Sequence, residues 1–236
     1  MRLDRYLCEL NTGTRSQVRE FIKKGLVSVN GQIVRAADCK IDEQKDQVTL
    51  QGKSLTYQKF VYYMLNKPQG VVSATQDNTA GTVVELLAAE GRRDLLPVGR
   101  LDKDTEGLLL LTNDGELAHR LLSPKKHVDK TYQVTAVHAL GQEDIRRLEQ
   151  GVDIGEDRMT MPAKVEILSE NSFLLTIQEG KYHQVKRMLQ AVDNQVTALK
   201  RIRFGGISLD EGLAPGEYRP LTLQEEKRLK EGHLVS

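Results

Sequence analysis

Long apolar runs are missing from this chain: within its 236 residues no stretch approaches the ~20 consecutive apolar residues that a membrane span needs. The amino terminus, Met1-Arg2-Leu3-Asp4-Arg5, lacks the apolar core of a secretory signal peptide, so the cytoplasm is the expected compartment and no membrane partner is expected. Cysteine is scarce. Cys8 and Cys39 are the two present; they stand far apart, with no Cys-x-x-Cys pairing and no neighbouring histidine. That argues against a zinc site or a disulfide framework and leaves both as small buried hydrophobes. The chain has no internal repeat, low-complexity tract, glycine-rich phosphate loop, HExxH or GxSxG, which removes the usual nucleotide, metallo- and serine-hydrolase readings. His119, His127, His138 and His233 show no ligand spacing. No metal and no cofactor are expected.

Net charge is nearly absent too, since 34 Lys and Arg against 33 Asp and Glu leave +1. Taken alone that speaks against a nucleic-acid partner, but the distribution is uneven. Met1 to Lys24 holds six cations (Arg2, Arg5, Arg15, Arg19, Lys23, Lys24) against three acids, and Lys181 to Arg203 holds six (Lys181, Lys186, Arg187, Lys200, Arg201, Arg203) against Asp193. Two separated basic patches on an otherwise acidic chain are what a phosphate backbone would recognise.

The first segment, to about Tyr57, opens with a short helical pattern. Thr14-Arg15-Ser16 then reads as a helix start, capped by a side-chain oxygen. In the helix that follows, Val18, Phe21 and Ile22 share the inward face while Arg15, Arg19 and Lys23 recur every fourth residue along another. After Gly25, the stretch from Leu26 to Val34 reads as two strand pieces joined by an Asn30-Gly31 hairpin turn. A further strand near Val48-Thr49-Leu50 closes a small α+β module, and Gln51-Gly52-Lys53-Ser54 reads as a linker.

From Phe60 onward the texture changes to short strands and turns. Strands are expected at Val61–Leu65, Gly70–Ser73, Leu108–Leu111, Tyr132–Thr135, Ala163–Ile167 and Phe173–Ile177, and helices at Val83–Ala89, Glu116–Leu122, Gln142–Gln150 and Gln184–Ala191. Mixed order rather than regular alternation predicts an α+β fold around a largely antiparallel mixed sheet. Within it VGRLDKDTEGLLLLTNDG, Val98 to Gly115, sets Asp102, Asp104 and Glu106 in front of four leucines that read as a strand buried on both faces. Carboxylates at such an entrance are either salt-bridge clamps or chemistry. Alternation along an extended chain would put all three on one side, so spacing does not choose among them.

The opening Arg2-Leu3-Asp4 with Leu7, the Thr14-Arg15-Ser16 start and the Val27-Ser28-Val29-Asn30-Gly31-Gln32-Ile33-Val34 hairpin together resemble the S4 RNA-binding domain. The GRLD of 99–102, the TxGLLLLTNDG of 105–115, Lys130-Thr131-Tyr132 and the 180–188 segment GKYHQVKRM closely resemble the ribosomal RNA pseudouridine synthases that carry an S4 domain. So do Met64-Leu65-Asn66-Lys67-Pro68 and the 214–221 segment. Within that family the wording is most similar to enzymes that modify a uridine of 16S small-subunit RNA. The resemblance implies an S4 domain at 1–57, binding RNA through Arg2, Arg5, Arg15, Arg19 and Lys23, and a catalytic domain at 60–236. It implies an isomerase acting without cofactor, as a monomer, on ribosomal RNA or a partly assembled subunit.

By that resemblance Asp102 is the catalytic aspartate and Lys186 its fixed cation. Many relatives carry arginine at that position, which keeps Arg187 as an alternative. Tyr132 matches the tyrosine that stacks on the base, Arg100 the arginine that fills the vacated stack, and Leu199 the aliphatic wall, while His183 is expected to orient the pocket by hydrogen bonds. The reaction breaks N1–C1′, turns the uracil and rejoins it through C5. A carboxylate could attack C1′ or C6 or remove a sugar proton, and the sequence does not choose. The rivals are a sibling acting on 23S RNA, a catalytically silent RNA-binding assembly factor, and a glycoside hydrolase, which would have no use for two basic patches.

Overall fold

The computed structural model describes the chain except residues 11, 56, 93, 124, 125 and 232–236, and His233 lies outside the described residues. The chain divides into two compact units, Met1–Lys59 and Phe60–Ser236.

The first unit packs two helices, α1 (Leu3–Glu9) and α2 (Arg15–Lys23), against four short antiparallel strands, β1 (Val27–Val29), β2 (Gln32–Ile33), β3 (Val48–Leu50) and β4 (Lys53–Leu55), in the order β2-β1-β3-β4. Thr14 caps α2 in both directions: its hydroxyl accepts from Gln17 N–H at 3.4 Å and its own N–H donates to Gln17 Oε1 at 2.8 Å. Val18 and Ile22, four apart, bury one stripe of α2 against Leu3, Tyr6, Leu7, Val27 and Val48, and Phe21 packs half-buried at its side. Asn30 and Gly31 take φ of 50° and 80°, the left-handed pair that a tight hairpin requires.

Two expectations fail here. Gln51 and Gly52 repeat the left-handed pair with φ of 52° and 79°, and β4 folds back on β3, so the presumed linker is a second hairpin. Cys8 and Cys39 are only half-buried, at the margin of the core.

The second unit is built on a nine-stranded sheet whose main path runs β13-β5-β7-β11-β8-β10-β9. Its strands are β5 (Tyr62–Lys67), β6 (Leu96–Pro97), β7 (Glu106–Thr112), β8 (Lys130–Ala136), β9 (Lys164–Ser169), β10 (Ser172–Ile177), β11 (Val196–Phe204), β12 (Ile207–Ser208) and β13 (Tyr218–Pro220). The helices are α3 (Gly115–Leu122), α4 (Gln142–Gln150), α5 (Gln184–Gln190) and α6 (Leu223–Glu231), with a 3-10 stretch at Glu85–Glu90 where a longer helix is expected. Among the strand-to-strand pairings described, only β7·β11 is parallel.

The four leucines behave as their composition predicts. Leu108 and Leu110 face one core with Met64, Leu117 and Phe204, while Leu109 and Leu111 face a second with Leu65, Val134, Leu175 and Met188. β11, the strand beside them, is absent from the expected elements. Gly70–Ser73 is not a strand: it makes one isolated bridge, Val72 to Thr82.

Candidate active site

Asp102 sits on a turn. Residues 102–105 bend into β7, with Thr105 N–H donating to the Asp102 carbonyl at 3.1 Å, so the alternation of Asp102, Asp104 and Glu106 along one extended face does not occur. The main chain of this turn is fastened by the segment that leaves β5. Pro68 has no N–H with which to extend the ladder, and the chain swings over the turn instead.

Lys67, fully buried at the end of β5, donates to the carbonyls of Pro68 at 3.0 Å, Asp102 at 3.0 Å, Lys103 at 3.4 Å and Thr105 at 2.9 Å. Gly70 N–H reaches the Lys103 carbonyl at 2.8 Å, and Ser73 Oγ both donates to the Leu101 carbonyl at 2.9 Å and accepts from its N–H at 3.0 Å. Removal from water pushes the Lys67 pKa down to about 8, against the pull of nearby Asp104 and Asp102.

Opposite the turn is the entrance to α5, where His183 takes a φ of 48°. One helical turn on, Lys186 Nζ lies 2.9 Å from Asp102 Oδ2 and 2.6 Å from Asp104 Oδ1. Burial opposes the Lys186 ammonium, but hydrogen bonds to Asp104 and Asp102 outweigh it and raise its pKa. The same lysine holds Asp104 below the usual carboxylate range. The two carboxylates differ in exposure: the Asp102 side chain is 28 % accessible, that of Asp104 68 %. Asp102 is therefore the inner partner and Asp104 the rim.

Between turn and helix opens a cleft of about 430 Å³, lined by Arg100, Leu101, Asp102 and Thr105 on one side and Gly180, Lys181, His183, Gln184, Val185 and Lys186 on the other. Tyr132 of β8, Ile177 of β10 and Leu199 of β11 form its wall. No group of three or more His, Cys, Asp or Glu side chains arranged to hold a metal occurs among the described residues. A carboxylate beside a fixed cation, under an aromatic and an aliphatic wall, can grip an uncharged planar ring while reacting at an atom attached to it.

The RNA pseudouridylate synthase family model matches residues 61–191, the span from β5 to the end of α5, and the S4 domain model matches residues 1–48. The chain belongs to the RNA pseudouridylate synthase family. This synthase, an isomerase by that membership, is 51 % identical over 236 residues to the "Uncharacterized RNA pseudouridine synthase YtzG" of Bacillus subtilis, covering 98 % of this chain and 99 % of that one. It is 43 % identical over 227 residues to "Ribosomal small subunit pseudouridine synthase A" of Escherichia coli, covering 95 % of this chain and 98 % of the relative. A solved structure described as "Crystal structure of pseudouridylate synthase" aligns with a TM-score of 0.68 at 41 % identity, over 97 % of this chain and 99 % of that one. The S4 and synthase domains together imply an RNA substrate, and no helix among the described residues is long and apolar enough to cross a membrane.

Of the residues expected at the synthase site, Asp102, Lys186, Tyr132, Arg100, Leu199 and His183 all line the cleft. His183 Nε2 lies 3.6 Å from Asp102 Oδ1, longer than a hydrogen bond. Arg187 is a correction. Its neighbour Lys186 faces Asp102, and a step of 100° around the helix sends Arg187 to Glu156 Oε1 at 2.8 Å, the Tyr182 carbonyl at 3.0 Å and the Ile154 carbonyl.

Part of the second basic patch is likewise engaged internally, since Arg201 is buried with Nε on the Leu108 carbonyl at 2.8 Å and Lys181 holds the carbonyls of Arg158 and Met159, while half-buried Lys200 and exposed Arg203 enter no described ion pair. In the first unit Arg2 pairs with Asp4 at 2.8 Å, Arg5 with Glu9 at 2.7 Å and Arg19 with Asp4 at 3.8 Å, which leaves Arg15 and Lys23 as the exposed cations of α2 outside any described ion pair. Sequence reasoning missed Lys67. Its signal was a lysine ending an otherwise apolar strand immediately before a Pro-x-Gly turn.

Proposed function

We propose that this chain converts a uridine of 16S ribosomal RNA into pseudouridine, with Asp102 as the reacting carboxylate, residues 60–236 as the catalytic domain and residues 1–57 as an RNA-binding module led by Arg15 and Lys23. The observation that carries this reading is the 2.9 Å Asp102–Lys186 pair inside a cleft walled by Tyr132 and Leu199. A charge withdrawn from water needs a fixed counter-charge, and Lys186 supplies one that approaches Asp102 from the side of α5. A uridine stacked in RNA cannot reach this carboxylate, so the nucleotide swings out into the cleft while the Arg100 guanidinium at the rim fills the gap.

There the uracil lies against the Tyr132 ring. Asp102 acts at C1′ or C6, or on a sugar proton, and the N1–C1′ bond opens. The uracil turns in the grip of Tyr132 and Leu199, C5 bonds to C1′, the C5 proton leaves by way of the Tyr132 hydroxyl, and N1 gains a proton. Atoms balance without a cofactor, and a monomer suffices because the residues named all come from one chain. The 16S target is supported by the relatives named ribosomal small subunit pseudouridine synthase A, at 41–44 % identity over 95 % or more of this chain. It puts the enzyme in the cytoplasm with its substrate.

The test is pseudouridine mapping across unmodified 16S and 23S transcripts and partly assembled subunits after treatment with the protein or its Asp102→Asn variant. One new 16S site, absent with the variant, is expected. A 23S site would move the enzyme to the sibling class, and modification by Asp102→Asn would remove the carboxylate from the chemistry.

A further inference from the structure

Tyr182 stands 71 % exposed, and among the described large hydrophobic residues only Leu223 is more so. It is not loose. One face of its ring lies on the His183 imidazole, with centroids 3.8 Å apart and planes inclined by 21°, and His183 Nε2 is in turn 3.6 Å from Asp102 Oδ1. The backbone beneath is locked. Lys181 N–H donates to Gln184 Oε1 at 2.9 Å, Gln184 N–H to the Lys181 carbonyl at 3.2 Å, and the Arg187 guanidinium to the Tyr182 carbonyl at 3.0 Å while it also holds Glu156. Buried Gln184 anchors the turn further, donating to Glu179 at 2.8 Å.

A solvated surface tyrosine needs none of these restraints. Holding an aromatic plane still before its partner arrives cuts the ordering cost of binding, and a tyrosine has few rotatable bonds to freeze. Tyr182 does not line the cleft. His183, on which it stacks, does line the cleft, so a ring seated on the outer face of Tyr182 would lie outside the pocket that receives the reacting base.

We propose that Tyr182 is a stacking platform for the base of a nucleotide next to the target uridine, the outer layer of a Tyr182–His183 stack that leads from solvent to Asp102. The proposal rests on the pseudouridine synthase reading of the cleft and names a further substrate contact for it. A flanking base is the ring that an RNA strand must bring to this spot when one of its nucleotides enters the cleft, and every base has a face to stack, whatever its hydrogen-bonding edge.

The test compares wild type with Tyr182→Phe, Tyr182→Leu and Tyr182→Trp on a short RNA spanning the uridine found by mapping. Loss of one base–aromatic stack weakens RNA binding by roughly 5- to 150-fold, so Tyr182→Leu should raise KM by that factor with little change in kcat, while Tyr182→Phe stays within about twofold of wild type. The chain contains no tryptophan, so Tyr182→Trp carries a single indole whose fluorescence should be quenched when the RNA binds. An abasic residue at the stacked position should abolish the difference between wild type and Tyr182→Leu.

Equal KM for wild type and Tyr182→Leu would overturn the platform. So would a Tyr182→Phe defect as large as that of Tyr182→Leu, which would assign the effect to the hydroxyl. A wild-type protein that modifies no RNA marks failure of the underlying reading instead, and the quenching of Tyr182→Trp by 16S transcript still decides whether the ring meets a base.

Discussion

Replacing Gly107 with alanine strikes the seam from which the site hangs. Gly107 has a φ of +100°, and an added Cβ would stand 2.2 Å from the Arg201 carbonyl oxygen and 2.8 Å from the Arg201 nitrogen. Both are main-chain atoms of β11 and cannot swing aside as a side chain would. β7 and β11 would have to part where Lys200 faces Glu106 and Arg201 faces Gly107, and the buried Arg201 guanidinium would lose its bond to the Leu108 carbonyl. A left-handed non-glycine residue costs about 1–2 kcal/mol and a hydrogen bond to a charged group is worth about 1.5–3, so the variant should lose about 2.5–5 kcal/mol. For a domain of this size that is a fall of about 5–20 °C in Tm.

Gly216→Ala is the control, because its φ of +92° carries the same conformational cost while the added Cβ meets nothing within 4 Å. Calorimetric melting of both variants, with pseudouridine formation assayed well below either transition, separates collision from strain. The seam joins the Asp102 turn to the strand carrying Leu199, so Gly107→Ala should lose activity even where it is folded. Melting temperatures for the two variants within about 2 °C of each other would refute the reasoning.

Lys186→Met strips the Asp102 carboxylate of its cation and should slow proton release from C5 by on the order of 10²- to 10³-fold, the range for losing one preorganised electrostatic contact. Lys186→Arg should recover most of that, and an unchanged Lys186→Met rate would dismiss the ion pair. Burial depresses the Lys67 pKa from 10.5 to about 8, so between those values the unfolded chain binds more protons and stability from this group should rise with pH, with no gain below pH 8. Urea unfolding from pH 7 to 10 should show a rising limb that Lys67→Met flattens in part, Lys130 being similarly depressed to about 8; an unaltered slope would contradict it. Arg15→Ala and Lys23→Ala should each reduce the salt slope of RNA binding by about one, whereas Arg5→Ala, already spent on Glu9, should change it by less than half as much.

The hairpin at Asn30-Gly31, the Thr14 cap and the leucine strand were legible because each rests on local chemistry that nothing distant overrides. β11 was not. Its run from Val196 to Phe204 carries Lys200, Arg201 and Arg203, and Arg201 points inward, so the usual alternation of apolar and polar residues is broken by a buried cation. Gly70–Ser73 has strand-like composition, but its N–H of Gly70 and hydroxyl of Ser73 are spent on the Asp102 turn rather than on a ladder. Gln51 gave no warning of its left-handed φ, since glutamine is not among the residues that favour it. Which of Lys186 and Arg187 faces Asp102 is a matter of helix phase, fixed once Val185, Met188 and Leu189 are buried. Asp102 itself needed the resemblance, because Asp104 shares its lysine and its spacing gives no means of choosing.

Lys67, Gly70 and Ser73 grip the 101–105 segment entirely through peptide carbonyls and one peptide N–H. Every amino acid at 103 presents the same carbonyl, so the course of the main chain that carries Asp102 is decoupled from the identity of the side chain at 103. The exposed side chain at 103 is thereby free to follow new RNA contours while the backbone beneath it keeps its place.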